Sequence, residues 1–335
     1  MHALVTADML EQLHISERRR VQITLSCRDS DSLPKVPDAG LAGESEHGAY
    51  QLMHEGTRVL LGGYHGTWMS AIIQGLRGHH EPQEELAFHE VLQHLPPGST
   101  MIELGGFWAY YSLWFHRHVP GAVNYVVEPD PKHRAIGIKN FELNGCQATF
   151  LPYASGETTD DTASFLTESG EHLETCARLC VDDLLERHQI KQVTILHADI
   201  QGAELGMLRG ARTAITQGRV RFVFLSTHHV SISGDPQTHQ ACVNFIREHG
   251  GHILADFTPE EGFSGDGLVV ASFDPADRAI APFAISRNVD PELEFWRPIE
   301  PPAPPAPPPP PRPNLLTRGI RKVWRLMGKL MGRAA

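Results

Sequence analysis

The chain has 335 residues, of which 41% are hydrophobic, so it is long enough to bury the core of one large domain or two modest ones. Its net charge of −11 divides into −18 for residues 1–300 and +7 for the tail beyond them, which contains seven lysines and arginines and no acid. An acidic body argues against nucleic acid as the main partner, whereas a basic tail suits an anionic surface.

Cysteine usage and hydropathy indicate the compartment. The five cysteines are scattered and lack the spacing of a zinc motif, which predicts reduced thiols. The start of the chain has acids inside its apolar stretch, unlike a signal peptide, and no run reaches the roughly 18 apolar residues of a membrane span. We therefore expect a cytoplasmic protein, and the sequence leaves its oligomeric state open.

The N-terminal part, residues 1–98, is predicted to combine loops with short helices and to help build an acceptor site. Residues 29–48 are polar and rich in turn formers, which predicts a loop. Residues 57–66 predict a strand and a turn. A helix is expected at 81–95, because Pro82 suits a first helical turn and acids follow it closely.

From residue 99 onward, short apolar segments alternate with longer helical patterns. Strands are predicted at 100–104, 122–127, 147–151, 192–198, 220–226, 252–257 and 267–272. Helices are predicted at 108–118, 130–143, 180–189, 203–217 and 237–249. This alternation predicts an α/β domain with a largely parallel sheet over residues 99–275, followed by a C-terminal extension at 276–300.

The end of the chain has a different character. Residues 301–313, "PPAPPAPPPPPRP", predict a stiff polyproline spacer. Residues 314–335 place leucine, isoleucine, valine, tryptophan and methionine on one helical face and basic residues around the rest. This basic amphipathic helix is suited to an anionic membrane surface, which would put the protein at the inner face of the membrane. Docking on the acidic body or on a partner protein is the alternative.

A turn with two glycines follows the first predicted strand of the domain. Glu103 lies near the strand end, and Gly105 and Gly106 allow a sharp turn and the close approach of a ligand. The dinucleotide fingerprint needs a third glycine, which is missing, and an acid here repels a pyrophosphate. A carboxylate instead attracts a cationic ligand, such as the amino group and sulfonium of S-adenosylmethionine (SAM). An NAD-type oxidoreductase is therefore disfavoured, although it remains the alternative enzyme class.

The next strand also ends in an acid. Glu128 is placed to accept hydrogen bonds from both hydroxyls of a ribose. Either Glu103 or Glu128 could instead cap the helix that follows it. Two acids at consecutive strand ends around a glycine turn nevertheless favour a nucleoside site.

Five sequence blocks resemble the FkbM family of SAM-dependent methyltransferases, over roughly residues 50–275. In chain order they are "MIELGGFWAYYS", "VVEPDP", "LHADIQGAELGMLRGA", "FVFLSTHH" and "FSGDGLVVAS". The resemblance implies a Rossmann-like class I methyltransferase fold, with a seven-stranded, mainly parallel sheet, an antiparallel last strand and helices on both faces. It also implies SAM as cofactor and a hydroxyl group as methyl acceptor.

The resemblance also implies a set of cofactor-binding residues. Running from the methionine part through the ribose to the adenine, they are Glu103, Gly105, Gly106, Phe107, Glu128, Pro129, Asp130, Tyr153 and Ala154. Four positions depart from the common family pattern: Phe107 stands where asparagine is frequent, Ala109 where glycine is frequent, and His197 and Gln201 where lysine and glutamate are commoner. We expect Ala109 to be helical, which makes alanine a mild replacement, and Phe107 and Trp108 to narrow the pocket or contact the adenosyl group.

Three residues near the ends of the fourth and fifth strands are candidates for the chemistry. Removing a hydroxyl proton needs a histidine or carboxylate within hydrogen-bond reach. Asp199 is expected to orient the acceptor or hold the cofactor amine, and His197 to act as base or merely to pack in the core. His228 is another candidate base, whereas Glu204 is expected to cap a helix.

Histidines and glutamates cluster at residues 79–85 and raise the question of a metal. Their spacing matches no zinc motif, although a carboxylate-bound magnesium that polarises the acceptor is compatible with them. A divalent metal is therefore not expected, and no metal ligand is assigned.

These patterns together predict a SAM-dependent O-methyltransferase that modifies a hydroxyl of a sugar or glycan, small or lipid-linked, close to the membrane. The alternative outside enzyme chemistry is a catalytically inactive, membrane-tethered binding protein with the same fold, since fold alone does not determine function.

Overall fold

A computed structural model describes residues 7–167, 169–170, 172–173 and 175–297. The proline spacer predicted at 301–313 and the helix predicted at 314–335 lie outside the described residues. In the described part the helices are α1 Ala7–Gln12, α2 Ile15–Ser26, α3 Gly66–Gly75, α4 Pro82–Leu92, α5 Tyr110–His118, α6 Pro131–Leu143, α7 Val181–Arg187, α8 Glu204–Gly210, α9 Arg212–Thr216, α10 Val230–Ser233 and α11 Thr238–Glu248. The strands are β1 Ala42–Ser45, β2 Gly48–Leu52, β3 Arg58–Leu60, β4 Thr100–Leu104, β5 Val123–Val127, β6 Thr149–Leu151, β7 Ala154–Ser155, β8 Phe165–Leu166, β9 His172–Leu173, β10 Arg178–Leu179, β11 Val193–Ala198, β12 Val220–Thr227, β13 His252–Phe257 and β14 Gly267–Ser272.

Seven strands form the central sheet, in the order β13-β14-β12-β11-β4-β5-β6. The pairs from β12 to β6 are parallel, and β14 runs antiparallel to both of its neighbours. The predicted class I methyltransferase topology is thus confirmed. In a parallel sheet of this kind the carboxyl ends of β4, β5 and β11 meet at one edge, where ligands bind.

Helices cover both faces of the sheet, which explains why its strands read as continuous apolar runs. One face packs against α4 and α5, through side chains such as Phe88 and Trp114. The other face packs against α7, α8 and α11, through side chains such as Leu184 and Ile246. All residues of β12 except Arg221 are buried, as expected for an interior strand covered on both sides.

The predicted helix at 203–217 is in fact two helices, α8 and α9. The carboxylate of Asp182 accepts the N–H groups of Thr213 and Ala214 at 3.0 and 2.7 Å. These groups belong to the first turn of α9, so an acid from a distant helix caps a new helix start. Hydrophobic periodicity continues across the break and therefore does not reveal it.

The N-terminal part contains more regular structure than the sequence predicts. Helix α2 begins with a capping box, in which Glu17 accepts the N–H of His14 at 2.8 Å and His14 accepts the N–H of Ser16. A histidine is not among the usual N-cap residues, so this start was not recognised. The predicted loop at 29–48 contains β1, which pairs with β2 in a short hairpin.

Residues of the predicted C-terminal extension pack on the rest of the described chain up to Arg297. The Phe283 N–H donates to the Leu254 carbonyl at 2.6 Å, and the Trp296 indole donates to the Gly265 carbonyl at 2.7 Å. The Arg19 guanidinium donates to the carbonyl of Glu294. Among the described residues no helix combines the length and the apolar character needed to cross a membrane.

Candidate active site

A pocket opens where β4, β5 and β11 end, and the turn before α3 and the start of α4 close its opposite side. Its lining includes all nine residues predicted for the cofactor site, and also Asp199 and His197. Its other lining residues include Trp108, which was predicted to narrow the pocket, and Tyr64, His65, His80, Glu81 and Tyr111, which were not predicted for the cofactor or the chemistry. The pocket therefore has a wall from the Rossmann-like sheet and a wall from the N-terminal part of the chain.

Gly105 and Gly106 bring protein atoms together closely. Gly105 has a φ of +74°, and a Cβ there would lie 1.8 Å from the carbonyl oxygen of Asp199. A Cβ on Gly106 would lie 2.3 Å from Cγ1 of Val126. Because neither glycine has a side chain, the turn packs directly against the loop after β11 and against β5. The expected role of these glycines was to allow a ligand to approach. The backbone of both glycines still lines the pocket.

The turn ends with two non-glycine residues in left-handed conformations. Phe107 has a φ of +32° and Ala109 a φ of +57°. Helix α5 begins only at Tyr110, with Ala109 as its N-cap, so the expectation that Ala109 is helical is wrong. A left-handed conformation costs an L-residue roughly 1–2 kcal/mol, which gives a physical reason for the glycine that is frequent at this position.

Glu103 is buried at the end of β4 and serves the following helix. Its Oε2 accepts the N–H of Ser112, in the first turn of α5, at 3.0 Å. Burial raises the pKa of Glu103, so its charged form lacks a full counter-charge. Glu103 therefore caps α5 through its Oε2, and it also lines the pocket.

Glu128 accepts two backbone N–H groups of the site. Its Oε2 accepts the N–H of Phe107 at 3.0 Å and its Oε1 the N–H of Asp130 at 2.8 Å. Burial raises the pKa of Glu128 to about 7, although these two hydrogen bonds favour the charged form. Asp130 in turn caps α6, because its Oδ1 accepts the N–H of Lys132 at 2.8 Å. One acid thereby ties the glycine turn to the end of β5.

Aromatic rings line the pocket on both sides of Phe107. The Phe107 ring stacks on His133, with centroids 3.5 Å apart and an interplanar angle of 5°. On the other side, Tyr64 stacks on Trp108 with centroids 4.4 Å apart, and His65 lies edge-on to Phe107. The glycine-rich stretch "GGYHGTW" carries Tyr64 and His65, and its aromatics were the signal that could have suggested a binding turn.

Asp199 lines the pocket and lies against His228, which is not among the lining residues. Its Oδ1 is 3.1 Å from Nε2 of His228, whose Nδ1 is 2.8 Å from Oε1 of Glu204. Asp266, from the "FSGDG" block, has its Oδ1 3.7 Å from the same Nε2. Burial disfavours a charged His228, but these three carboxylates raise its pKa to about 12. His228 therefore keeps its proton and does not suit the predicted role of a base.

His197 is paired with a carboxylate from the opposite wall. Its Nε2 lies 2.7 Å from Oε1 of Glu84, and Ser226 donates to the other Glu84 oxygen at 2.8 Å. Burial opposes the charged ring, but Glu84 raises the pKa of His197, and burial raises the pKa of Glu84 itself. His197 is buried, and its Nδ1 has no hydrogen-bond partner among the described residues. Its contacts favour the core-packing interpretation over the predicted role of a base.

The cluster at residues 79–85 divides into distinct contacts. Glu84 turns toward His197, as described. The carboxylate of Glu85 contacts both neighbouring histidines, through Oε2 with His79 Nδ1 and through Oε1 with His80 Nδ1 at 2.5 Å. Nε2 of His80 lies 3.1 Å from Oε2 of Glu81, which faces the pocket.

Within the described residues, His54, His79 and Glu85 offer potential metal-ligand atoms within 4.8 Å of one another, all buried. The two imidazole rings stack with centroids 4.0 Å apart, and His54 Nδ1 lies 2.9 Å from the hydroxyl of Tyr110. Because Glu85 already accepts from two histidines, we interpret the group as a hydrogen-bonded core network and assign no metal to it.

Comparison with known proteins gives a match to one protein family and a set of similar solved structures. Residues 90–253 match the family model described as "Methyltransferase FkbM domain". A comparison with curated proteins gives no significant match. Among solved structures, the precorrin-6y C5,15-methyltransferase of Geobacter metallireducens GS-15 is 11% identical, with a TM-score of 0.36, over 55% of this chain and 86% of that one.

Two further similar structures contain S-adenosylhomocysteine (SAH). The O-methyltransferase of Bacillus cereus is 14% identical, with a TM-score of 0.37, over 57% of this chain and 80% of that one. TrmK of M. capricolum is 12% identical, with a TM-score of 0.36, over 62% of this chain and 74% of that one. With likenesses this distant, the assignment depends on the family match and on the sheet topology. Residues 90–253 of this chain form an FkbM methyltransferase domain.

Proposed function

We propose that this domain transfers the methyl group of SAM to a hydroxyl group of a sugar or glycan acceptor. The observation that carries the proposal is the pair of buried acids, Glu103 and Glu128, at consecutive strand ends of one pocket. Burial raises the pKa of both carboxyls, so each gains from a ligand that complements its charged form.

The two acids suit different parts of SAM. Glu103 lies on β4, and Asp199 directly follows β11, the adjacent parallel strand on which His197 pairs with Glu103. The negative charge of both acids suits the amino group and sulfonium. Glu128 suits the ribose hydroxyls, which are hydrogen-bond donors. Beyond Glu128, the Phe107–His133 stack and Tyr153 offer flat surfaces for the adenine.

The acceptor would enter on the side formed by the N-terminal part of the chain. Methyl transfer is an in-line displacement, for which the protein chiefly supplies alignment. Tyr64, His65 and Trp108 give this side aromatic faces next to the polar groups of Glu81 and His80. Aromatic faces with a few polar groups suit a sugar, which presents both C–H faces and hydroxyls.

The proposed cellular site is the inner face of the membrane. This part depends on the sequence of residues 314–335, whose basic amphipathic pattern suits anionic lipid. A lipid-linked or membrane-proximal glycan would be within reach of an enzyme tethered in this way. Sedimentation with vesicles of phosphatidylcholine, with and without phosphatidylglycerol, tests it on the full chain and on the triple variant Arg321→Ser, Lys322→Ser, Arg325→Ser. Equal binding to both vesicle types, or by both proteins, would contradict this part.

Calorimetry tests the cofactor. We expect SAH and SAM to bind with micromolar affinity, NADH not to bind, and Glu128→Ala to lose binding. Glu142→Ala is the matched control, because Glu142 is an exposed acid on α6 paired with Lys139. Binding of NADH alone would indicate an oxidoreductase.

Release of SAH in the presence of a panel of methyl glycosides and nucleotide sugars then tests the acceptor class. A protein that binds SAM and transfers its methyl group to no hydroxyl would support the inactive binding protein instead.

A further inference from the structure

The contacts at the start of α4 leave one carboxylate facing the acceptor side of the pocket. Glu81 lines the pocket with a side chain that is 14% exposed. Its Oε2 accepts a hydrogen bond from the Tyr111 hydroxyl at 3.2 Å and lies 3.1 Å from Nε2 of His80. It is thus fixed from two sides and still open to the cavity.

His80 connects Glu81 to a second acid that is fully buried. The Nδ1 of His80 lies 2.5 Å from Oε1 of Glu85, which also accepts the backbone N–H groups of His80 and Glu81 at 2.9 and 3.4 Å. Burial opposes a charged imidazole, but Glu81 and Glu85 together raise the pKa of His80 to about 10. The three side chains therefore form a carboxylate–imidazolium–carboxylate row that ends at the pocket.

Glu81 is linked through Tyr111 to the residues that suit the methionine part of the cofactor. The Tyr111 ring, whose hydroxyl holds Glu81, packs on His197 with centroids 4.6 Å apart. His197 is the strand neighbour of Glu103, which suits the methionine part of the cofactor. One aromatic ring thus separates Glu81 from the group of residues around the sulfonium position.

The other candidate proton acceptors in the pocket are already engaged. Asp199 faces the charged ring of His228, and although burial opposes it, this contact lowers the pKa of Asp199. His197 is already engaged with Glu84 through its Nε2. Asp199 is a weaker base than an ordinary carboxylate and better suits the cofactor amine. Glu81 also faces a charged ring, but both of its contacts are made by Oε2.

We propose that Glu81 is the catalytic base of the transfer, and that His80 and Glu85 are positioning residues that hold its carboxylate toward the acceptor hydroxyl. This inference rests on the proposed function. The hydroxyl proton passes to Glu81, and the acceptor oxygen bonds to the methyl carbon of SAM. The carbon–sulfur bond breaks with its electron pair left on sulfur, which yields SAH. Glu81 then releases its proton to solvent, while His80 keeps both of its protons.

The test compares Glu81→Gln with Glu81→Asp and with Glu90→Gln, a change on α4, the helix that Glu81 precedes, outside the pocket lining. Single-turnover transfer is measured with the methyl glycoside that the unchanged protein uses best, and SAH binding by calorimetry. We expect Glu81→Gln to slow transfer by about 100-fold or more with SAH binding intact. Glu81→Asp should keep part of the rate, and Glu90→Gln all of it.

A second measurement reports the row itself and needs no acceptor. In protein labelled with ¹⁵N-histidine, the His80 nitrogens should stay protonated across neutral pH, and Glu81→Gln should lower the pH at which they titrate. Full transfer activity in Glu81→Gln, or a His80 titration that this change leaves alone, would overturn the inference. If the unchanged protein binds SAH and methylates no hydroxyl, the proposed function fails first, and the role of Glu81 fails with it.

Discussion

The Nδ1 of His228 lies 2.8 Å from Oε1 of Glu204, and the same oxygen accepts the N–H of Gly202 at 3.0 Å. Glu204 therefore holds both the loop after β11 and the ring that faces Asp199. The expected capping role of Glu204 is not seen, because its carboxylate accepts from the loop before α8 and from His228 and caps no helix N–H group.

This buried ion group predicts a pH-dependent stability. The pKa of His228 is about 12 in the folded protein and about 6.5 in the unfolded chain, so its contribution is complete below pH 6.5 and is lost as the pH rises. Between pH 7 and 9 the free energy of unfolding should fall by up to about 1.4 kcal/mol per pH unit more in the unchanged protein than in His228→Gln. Urea unfolding at several pH values measures this. His47→Gln, at a half-exposed position, is the control, and parallel curves for all three proteins would contradict the prediction.

Glu128 predicts a pH-dependent cofactor affinity. Burial raises its pKa to about 7, and only the charged carboxylate accepts hydrogen bonds with both oxygens. We expect SAH to bind up to about 10-fold more tightly at pH 8 than at pH 6, because the charged fraction of Glu128 rises about 10-fold and a hydrogen bond to a charged group contributes roughly 1.5–3 kcal/mol. Calorimetry at both values measures the change. Glu128→Gln should bind weakly at both, whereas the same dependence in this variant would place its origin elsewhere.

Gly105 predicts a large loss of stability upon a small substitution. In Gly105→Ala the Cβ would meet the Asp199 carbonyl oxygen at 1.8 Å, and the residue would keep a φ of +74°. Gly145→Ala separates the two effects, because its φ is +63° and its Cβ would meet no heavy atom of the described chain within 4 Å. We expect about 1 kcal/mol for Gly145→Ala and several kcal/mol for Gly105→Ala in denaturant unfolding. Equal losses would mean that backbone strain alone accounts for both.

The aromatic lining predicts that binding of the acceptor and binding of the cofactor depend on different aromatic rings. Tyr64→Ala should raise the KM for the acceptor roughly 2- to 10-fold, from the stacking surface it removes, and leave SAH binding unchanged. Phe107→Ala should do the reverse, because the Phe107 ring stacks on His133 beside Glu128. Steady-state kinetics and calorimetry measure the two effects. A loss of SAH affinity in Tyr64→Ala would assign this wall to the cofactor.

The sheet was predictable because each of its strands is a short apolar run between turn formers. The strands at 100–104, 252–257 and 267–272 have the predicted limits, and the order and direction follow from the family resemblance. The break between α8 and α9 was not predictable, since it depends on Asp182 reaching a helix start about thirty residues away along the chain.

The candidate site was predictable where its residues follow the strands of the sheet. Glu103 and Glu128 lie at strand ends, which a sequence displays directly. Glu81 and Tyr64 reach the same pocket from the N-terminal part of the chain, and only tertiary packing brings them there. The left-handed backbone of Ala109 was also hidden, because alanine carries no turn signal.

The close fit of Gly105 against the carbonyl of Asp199 has a mechanical consequence. The Asp199 N–H also donates to the carbonyl of Leu104 at 3.1 Å, so two contacts fasten the loop after β4 to the loop after β11. Neither loop can shift without moving the other. If SAM displaces the glycine turn when it binds, Asp199 would move with the turn. Binding of the cofactor would then change the shape of the part of the pocket where the acceptor reacts.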